Sequence, residues 1–258
     1  MKPQNINTLV QSNIQNSSEF SIKSSAFAFD ILSDKLYSDK ILAVVREYLT
    51  NALDAQRANN VVRPLEVNLP SNTIVIGSIP WEVRDFGTGL SEEDVYKYYC
   101  VYFSSSKQES NDFTGMLGLG CKAGFAYTQQ FSITSWFNGE ESKYLLFKEN
   151  GYPKVSKLYS KPSKEHSGVK VTINVQPSDI SQFTNKTEEV LKYFPEEYIP
   201  DWVERLEPKI ETKQYIYLDG NSDCGVLMGN VMYPFPMYGV KNVILKKPIG
   251  FFKYFTFS

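Results

Sequence analysis

REYLTNALDAQ, residues 46–56, belongs to a segment in which apolar residues recur at helical spacing. Glu47, Asn51 and Asp54 follow one another at intervals of four and three, so their side chains share one narrow face of that helix. Two carboxylates and an amide would each cost free energy if they were buried without partners. The stripe therefore faces either solvent or a ligand. The opposite face is apolar and predicts burial against a core through Ile41, Leu42, Val45, Leu49, Ala52 and Leu53.

The composition indicates a globular protein with one sizeable domain and a smaller appendage, since 42% of its 258 residues are hydrophobic. Lys and Arg number 27 against 29 Asp and Glu, without a long basic run, so a nucleic-acid partner is not favoured. Three cysteines without metal-site spacing, and no signal-peptide pattern, indicate a reducing compartment, with the cytoplasm as the default. No apolar run approaches the length of a spanning helix, so only peripheral contact with a membrane surface is expected. The single histidine, His166, argues against histidine-based triads and histidine-rich metal sites.

The chain divides into three predicted regions: an N-terminal arm (residues 1–25), a main domain (26–178) and a C-terminal unit (179–258). The arm is rich in Asn, Gln and Ser, and EFSIKSSAFAF alternates like a strand at its end. Such an arm is suited to exchange with a partner chain. A short helix, a turn and the long helix with the polar stripe are expected next, and Ser38 or Asp39 is positioned to cap the long helix.

The long helix is followed by short β-rich runs that are separated by Ser, Asn, Gly and Pro, as in a meander or hairpins: PLEVNL, NTIVI and WEVRD. SEEDVYKYYCVYF then predicts a helix capped by Ser91, and the polar SSSKQESNDFTG resembles a lid. MLGLGCKAGFAYT is expected to open another helix. Four further runs predict mostly antiparallel strands because the gaps between them are short: QFSITSW, KYLLFKE, PKVSKLYS and SGVKVTINV.

The pattern changes again after Gln176, where SDISQFTNKTEEVLKYF predicts a helix. Late strands are expected in QYIYL, GVLMGNVMYPF and GFFKYFTF. This change of pattern indicates a second, smaller unit, whose aromatic final strand is suited to pairing with another chain.

A glycine-rich stretch, GMLGLGCKAG, allows backbone amides to approach a ligand closely through Gly115, Gly118 and Gly120. The helix expected after it offers an anion site at its N-terminus, to which Lys122 would add positive charge. The stretch lacks the Gly-Lys-Ser/Thr ending of a P-loop and the surroundings of a dinucleotide fingerprint. Taken alone, it is explained equally well as a turn without a ligand.

A second stretch, DFGTGL, places Asp85 at the end of an expected strand, and Gly87 and Gly89 permit a tight turn beside a ligand. An ordinary Asp-rich turn explains this stretch equally well when it is considered singly. The order of the polar stripe, DFGTGL and GMLGLG along one chain is far more specific than any of the three.

In that order, the three motifs resemble those of the GHKL ATPase superfamily, which includes gyrase B subunits, ninety-kilodalton heat-shock chaperones, MutL mismatch-repair proteins and histidine kinases. REYLTNALDA resembles the N-box, DFGTGL the G1 box and GMLGLG the G2 box. The resemblance implies the Bergerat fold, an α/β two-layer sandwich with a mixed, mostly antiparallel sheet. It also implies that the C-terminal unit resembles the start of a transducer domain of α+β type. More narrowly, residues 24–180 resemble phage rIIA-type rapid-lysis proteins.

The resemblance implies that the polar stripe faces ATP and Mg²⁺. Glu47 matches the general base that takes a proton from the attacking water, and Asn51 matches the Mg²⁺ ligand. Asp54 is expected near the adenine and ribose, while Asp85 matches the carboxylate that accepts a hydrogen bond from the adenine amino group. Further nucleotide contacts are expected from Ala55, Gly87, Gly89, Leu90, Ser106, Lys107, Gly115, Met116, Leu117, Gly118, Leu119, Gly120, Cys121 and Lys122.

Two positions depart from the superfamily pattern. A Gly-Thr pair is usual in a later strand, whereas Val169 follows Gly168 here, and Thr172 is the residue that would have to replace the missing hydroxyl. Many relatives also supply a basic residue from the transducer domain to the γ-phosphate. Lys246 and Lys247 are available for this role, but their spacing does not identify either.

The resemblance thus implies Mg²⁺-dependent binding of ATP and slow hydrolysis, coupled to lid closure and to dimerisation or partner binding. A homodimer would form through the arm or the C-terminal unit, and a host protein or the inner-membrane surface is the other expected partner during phage infection. One alternative is an interaction module that binds the nucleotide without hydrolysing it. A histidine-kinase catalytic domain fits less well, because the Asp54-Ala55 ending of the stripe resembles chaperone and MutL boxes.

Overall fold

The structure of the protein is a computed structural model that describes residues 25–31, 37–71, 78–101, 120–204, 206–212, 214–217, 225–228, 230–234 and 243–247. Its helices are α1 (Ala26–Asp30), α2 (Lys40–Ala58), α3 (Glu92–Cys100), α4 (Gly124–Tyr127) and α5 (Ile180–Leu191). The strands of the main sheet are β1 (Glu66–Asn68), β2 (Pro80–Arg84), β3 (Gln130–Phe137), β4 (Glu140–Glu149), β5 (Tyr152–Pro162) and β6 (Gly168–Asn174). A second sheet contains β7 (Ile210–Glu211), β8 (Tyr215–Tyr217), β9 (Gly225–Met228), β10 (Val231–Pro234) and β11 (Val243–Lys247).

The main sheet has the order β1-β2-β6-β3-β4-β5, and every neighbouring pair in it is antiparallel. Alternate residues of these strands, such as Trp81 and Val83 or Val171 and Ile173, join the side chains of the helices in one core. The predicted α/β two-layer sandwich with a mostly antiparallel sheet is therefore confirmed.

Helix α2 forms the centre of the helical layer. The Asp39 carboxylate accepts a hydrogen bond from the Leu42 N–H at 2.9 Å, so Asp39 rather than Ser38 caps the helix. Val45, Leu49 and Leu53 are almost completely buried against the sheet and α5, as the apolar spacing predicts, and Val44, which was not predicted, is buried with them. The polar stripe is thereby turned away from the centre of the core.

Helix α3 begins where the sequence predicts, since the Ser91 hydroxyl accepts a hydrogen bond from the Asp94 N–H at 3.1 Å. The sequence predicts a strand at the end of the N-terminal arm, and this prediction is wrong for the part of that segment that the structure describes. Residues 26–30 form α1, because the Ser25 hydroxyl caps a helical turn by accepting from the Ala28 N–H at 3.1 Å. The AFAF sequence alternates as in a strand, but the N-terminal cap stabilises a helix instead.

The segment after the glycine-rich stretch also differs from its prediction. Instead of one continuous helix, Gly120–Lys122 forms a 3₁₀ turn, and the short helix α4 follows it. The strand expected in NTIVI and that in GFFKYFTF lie outside the described residues. Strand β11, in contrast, was not anticipated. No helix in the described ranges is both long and apolar enough to cross a membrane.

Helix α5 packs on α2 and completes the core. Phe183 is fully buried, and the Trp81 indole N–H donates a hydrogen bond to the Thr187 hydroxyl at 2.9 Å, which joins the sheet to α5. The core continues through Leu191 to Val203. These residues follow position 178, where the sequence divides the chain, so their packing favours a later boundary. The boundary itself stays a prediction.

The second sheet has the order β10-β9-β11-β8-β7 and contains one parallel pair, β9 with β11. Ile216 is its buried centre and packs against Tyr193, Leu206, Leu227 and Met232. The Arg46 guanidinium of α2 lies 5.6 Å from the centroid of the Tyr233 ring of β10. This contact joins the second sheet to the residue next to Glu47.

Candidate nucleotide site

The polar stripe of α2 runs from a half-exposed end to a buried end. The Glu47 side chain is 24% exposed and lies 4.0 Å from an Arg46 guanidinium nitrogen, whereas Asp54 is only 5% exposed. Asn51 is half-buried between them. One end of the stripe can therefore meet a water molecule, and the other end lies in an environment that excludes water.

The turn at Gly120 lies directly against the exposed end of the stripe. A Cβ atom placed on Gly120 would be 2.3 Å from Glu47 Oε2 and 3.7 Å from Asn51 Nδ2. An added Cβ would force the Glu47 side chain to move away, so the glycine lets the backbone lie this close to both groups in their present positions. The structure thus brings together Glu47, Asn51 and the last glycine of the GMLGLG motif.

Tyr48 fixes this turn from inside the core. Its hydroxyl donates to the Cys121 carbonyl oxygen at 3.0 Å and accepts from the Gly124 N–H at 3.0 Å. Burial raises the pKa of Tyr48 well above its usual range, so the hydroxyl keeps its proton for the first of these bonds. The position of Gly120 beside the stripe is therefore set by the helix that carries the stripe.

Cys121 and Lys122 are directed toward α3. The Cys121 thiol and the Lys122 ammonium both donate to the Tyr98 carbonyl oxygen, at 3.2 and 2.5 Å, near the C-terminus of that helix. A cation is favoured there by the helix dipole and by unsatisfied carbonyl groups. Burial raises the pKa of the Cys121 thiol, which keeps it in the neutral form. The sequence did not predict this engagement of Lys122, which was expected to add charge near the phosphates.

Asp85 follows β2 and is a buried carboxylic acid. It is 5% exposed, and the two hydrogen bonds that its side chain accepts from described residues both end on Oδ1, from Gly87 N at 2.9 Å and Val169 N at 3.3 Å. Burial raises its pKa to about 7, although the two N–H groups and the nearby Arg84 act in the opposite direction. The arrangement fixes the carboxyl group through one oxygen.

The rest of the DFGTGL turn is held by close backbone contacts. A Cβ atom on Gly87 would be 3.1 Å from Ala55 Cβ, and one on Gly89, where φ is +74°, would be 2.0 Å from the Trp136 carbonyl oxygen. The Leu90 N–H donates to the buried Ser135 hydroxyl, which donates in turn to the Leu90 carbonyl, both at 2.8 Å. The structure therefore places Ala55 of the N-box against the DFGTGL turn.

Thr172 does not join this group, which corrects the expectation that it replaces the missing hydroxyl after Gly168. Its hydroxyl donates to Glu82 Oε1 at 2.8 Å. Val171 and Ile173 on either side are buried in the core, so Thr172 lies on the opposite face of the sheet from α2. Strand register puts Val169, not Thr172, beside Asp85.

Two residues of this region were missed by the sequence interpretation. Burial, followed by the nearby Glu47 carboxylate, raises the pKa of Tyr37 to about 12. Gln56, fully buried two positions after Asp54, hydrogen-bonds the turn that contains Asp85. No spacing rule identifies Tyr37. The available signal for Gln56 was its place on the apolar face of α2, three positions after Leu53 and four after Ala52. Other predicted residues lie outside the described part of the chain: Ser106, Lys107, Gly115, Met116, Leu117, Gly118, Leu119, and the side chains of Lys246 and Lys247.

The donor set suits a metal that arrives with a nucleotide. Within the described residues, no group of three or more His, Cys, Asp or Glu side chains could hold a metal ion. Mg²⁺ commonly takes one or two protein oxygens and completes its shell with phosphate oxygens and water. The amide of Asn51, next to Glu47 and the Gly120 backbone, fits this requirement, whereas a cage made by the protein alone does not.

Comparison with known families agrees with this geometry. The model of the family described as "Histidine kinase-, DNA gyrase B-, and HSP90-like ATPase" matches residues 39–185, more than half of the 258-residue chain. The match includes α2, the DFGTGL turn and Gly120. No curated protein matches the chain.

Proposed function

Because the chain belongs to the family of histidine kinase-, DNA gyrase B-, and HSP90-like ATPases, we propose that it binds ATP with Mg²⁺ and hydrolyses it slowly. The family match supports ATP binding directly. The roles of single residues, the metal and the turnover are the finer parts of the proposal.

The observation that carries the proposal is the environment of Asp85. Among the described residues, two backbone N–H groups hold its Oδ1, which leaves Oδ2 to accept a hydrogen bond from the amino group of adenine. Guanine presents a carbonyl oxygen at the same position and would repel a carboxylate. A ligand that leaves a buried polar group of the site without a partner binds much more weakly, so Asp85 selects adenine over guanine.

Glu47 and Asn51 act at the phosphate end. The Glu47 carboxylate takes the proton of the attacking water as general base, and its partial exposure gives that water access. Asn51 would hold Mg²⁺ through its amide oxygen, and the ion would supply positive charge at the phosphate end of the site. Asp54 lies at the buried end of the stripe, which supports its predicted place near the adenine and ribose.

Calorimetry with ATP, ADP and GTP, with and without Mg²⁺, tests the binding part on the wild type and Asp85→Asn. The Asn side chain can still accept both backbone hydrogen bonds at Oδ1 but presents an NH₂ donor where Oδ2 was, so ATP binding is expected to fall at least about tenfold. Equal affinity of the wild type for ATP and GTP would contradict adenine recognition by Asp85.

Single-turnover hydrolysis by the wild type and Glu47→Ala tests the catalytic part. Loss of a general base is expected to slow phosphate release by a factor of about 10² to 10⁴ while ATP stays bound. Equal phosphate release from both proteins would remove Glu47 from the mechanism.

A second candidate function is nucleotide binding without hydrolysis. It is favoured by the engagement of the Lys122 ammonium with the Tyr98 carbonyl, which directs one cation of the glycine-rich stretch toward α3. In that case the nucleotide would act as a structural ligand in an interaction module. ATP binding that depends on Asp85, together with no turnover in the wild type, would decide for this alternative.

The wider role is proposed from the narrower resemblance alone. We propose that nucleotide binding is coupled to lid closure and to dimerisation, or to binding of a host protein or the inner-membrane surface, during phage infection. The action would take place in the host cytoplasm and affect lysis timing or host defence. This role is tested by measuring the time of lysis in infected cells that express the wild type or Asp85→Asn. Identical timing would show that the role does not depend on nucleotide binding.

A further inference from the structure

Gln56 connects the end of α2 to the turn that contains Asp85. The side chain is 0% exposed, and its amide makes two hydrogen bonds: Nε2 donates to the Arg63 carbonyl oxygen at 2.8 Å, and Oε1 accepts from the Phe86 N–H at 3.2 Å. Three segments therefore meet at one amide: α2, the chain that leaves α2, and the DFGTGL turn.

The amide has one orientation that satisfies both partners. The carbonyl oxygen of Arg63 needs a donor and the N–H of Phe86 needs an acceptor, so a flipped amide would oppose like groups at both ends. An unsatisfied buried group costs free energy, so the pair of contacts holds the side chain in this one state. The N–H of Phe86 is consequently held at a defined place relative to α2.

Phe86 directly follows Asp85, and its ring is clamped as well. The Arg63 guanidinium lies 3.5 Å from the Phe86 ring centroid on one side, and the Arg84 guanidinium lies at 4.9 Å. With the ring and the N–H both fixed, the peptide between Asp85 and Phe86 has little freedom. The direction of the Asp85 side chain is set from that peptide.

We propose that Gln56 is a positioning residue for adenine selection: through the Phe86 N–H it holds the Asp85 carboxyl where the amino group of the base arrives. This inference rests on the proposed function and adds a residue that does not touch the nucleotide. Asp54 and Ala55, which are expected to lie near the nucleotide, directly precede Gln56. One turn of α2 therefore carries these two residues and also the residue that positions Asp85.

The rival explanation is that Gln56 only stabilises the fold. A residue with that role would lower stability when replaced, and it would leave the ratio of affinities for two bound nucleotides unchanged. Thr187 of α5 offers a matched control that lies far from the DFGTGL turn along the chain. Its hydroxyl is also fully buried and also makes two hydrogen bonds: it accepts from the Trp81 indole N–H and donates to the Phe183 carbonyl.

The experiment measures dissociation constants for ATP and for purine riboside triphosphate, which lacks the amino group, by calorimetry on the full chain. The wild type is expected to prefer ATP by about tenfold or more, the value of one hydrogen bond to a charged group. Gln56→Met fills the same volume without polar atoms and is expected to reduce the preference to within about threefold. Thr187→Val is expected to keep the wild-type preference despite a similar loss of stability.

Two further variants keep the test decisive if Gln56→Met does not fold. Gln56→Asn is too short to reach both partners and is expected to lose the preference, whereas Gln56→Glu keeps the acceptor for the Phe86 N–H and is expected to retain it. Equal preference in these two variants, or an unchanged preference in Gln56→Met, would overturn the inference. A wild type that does not bind ATP would instead overturn the proposed function, so the two failures are distinguishable.

Discussion

Gly120 lies so close to Glu47 that a Cβ atom on the glycine would be 2.3 Å from the Glu47 Oε2 atom. The nearest obstacle is the far end of a flexible side chain, not backbone. The contact therefore couples the last glycine of GMLGLG to the position of the proposed general base without making that glycine indispensable to the fold.

Gly120→Ala should remove most of the hydrolysis and spare the fold. Glu47 can rotate away from the added methyl group, and a displaced base is expected to slow single-turnover hydrolysis by about a hundredfold. The melting temperature is expected to change little. Gly139→Ala is the control, because φ is +78° there and the nearest atom to an added Cβ would be the Ser163 carbonyl at 3.9 Å, so strain is introduced far from Glu47. Unchanged hydrolysis in Gly120→Ala would contradict the placement of Glu47.

Gly89→Ala should have the opposite effect and damage the fold itself. An added Cβ would be 2.0 Å from the Trp136 carbonyl oxygen, which is backbone of β3, and φ is +74°. Backbone in this conformation costs a residue with a side chain on the order of 1–3 kcal/mol, before the clash is counted. Urea unfolding checks this; a midpoint equal to that of the wild type would show that the turn can relax.

Asp85→Asn should stabilise the protein at pH 8 in the absence of nucleotide. The folded-state pKa of Asp85 is raised from 3.8 to about 7, so its stabilising contribution is fully present below about pH 4 and is lost as pH rises through 7. Three pKa units set an upper limit of about 4 kcal/mol on this loss. An amide carries no charge to bury, and unfolding at pH 8 is expected to require more urea. The difference from the wild type should shrink at pH 5.

Adenine binding should weaken as pH falls from 8 to 6. With a pKa of about 7, about nine-tenths of Asp85 is ionised at pH 8 and about one-tenth at pH 6, so an affinity that depends on the carboxylate falls about tenfold. Adenosine is the suitable ligand, because it has no phosphate that titrates in this range. Chemical-shift titration by NMR measures its affinity, and a flat profile would mean that the protonated acid binds the base equally well.

Asp39→Ala should remove the cap of α2. The Asp39 carboxylate accepts from the Leu42 N–H and pairs with Lys186 of α5 at 2.8 Å, so its loss is expected to cost about 1 kcal/mol in urea unfolding. Ser38→Ala is the matched control, because Ser38 is exposed. A larger effect of Ser38→Ala would reverse the assignment of the cap.

The parts of the fold that were predictable are those fixed by local pattern. The cap at Ser91 and the apolar face of α2 depend on neighbours within one or two helix turns, which spacing alone reveals, and for the cap of α2 the sequence narrowed the choice to Ser38 or Asp39. The strand pattern of β3, β4 and β6 was equally readable because each buries residues of one face in the core, and β5 alternates between half-buried and exposed residues over its first half. At Ala26–Asp30, alternation was misleading because a single cap at Ser25 competes with it.

The parts that were not predictable depend on contacts between distant segments. The side on which Thr172 lies follows from strand register, and the direction of Lys122 follows from the nearby end of α3. No sequence motif identifies Gln56, because its hydrogen-bond partners are a main-chain carbonyl and a main-chain N–H, which are present in every sequence. A sequence pattern identifies a stripe, but only the packing tells which main-chain groups a buried amide will meet.

The buried indole of Trp81 gives the molecule an optical reporter of its own. Trp81 has no solvent exposure, and its N–H joins the sheet to Thr187 of α5, so its fluorescence emission should shift to longer wavelength when the two layers separate. Trp202, at 43% exposure, already faces water and contributes an emission that changes less. Trp136 is buried as well, so a Trp136→Phe variant lets the emission of Trp81 report the separation of the sheet from α5 without any attached dye.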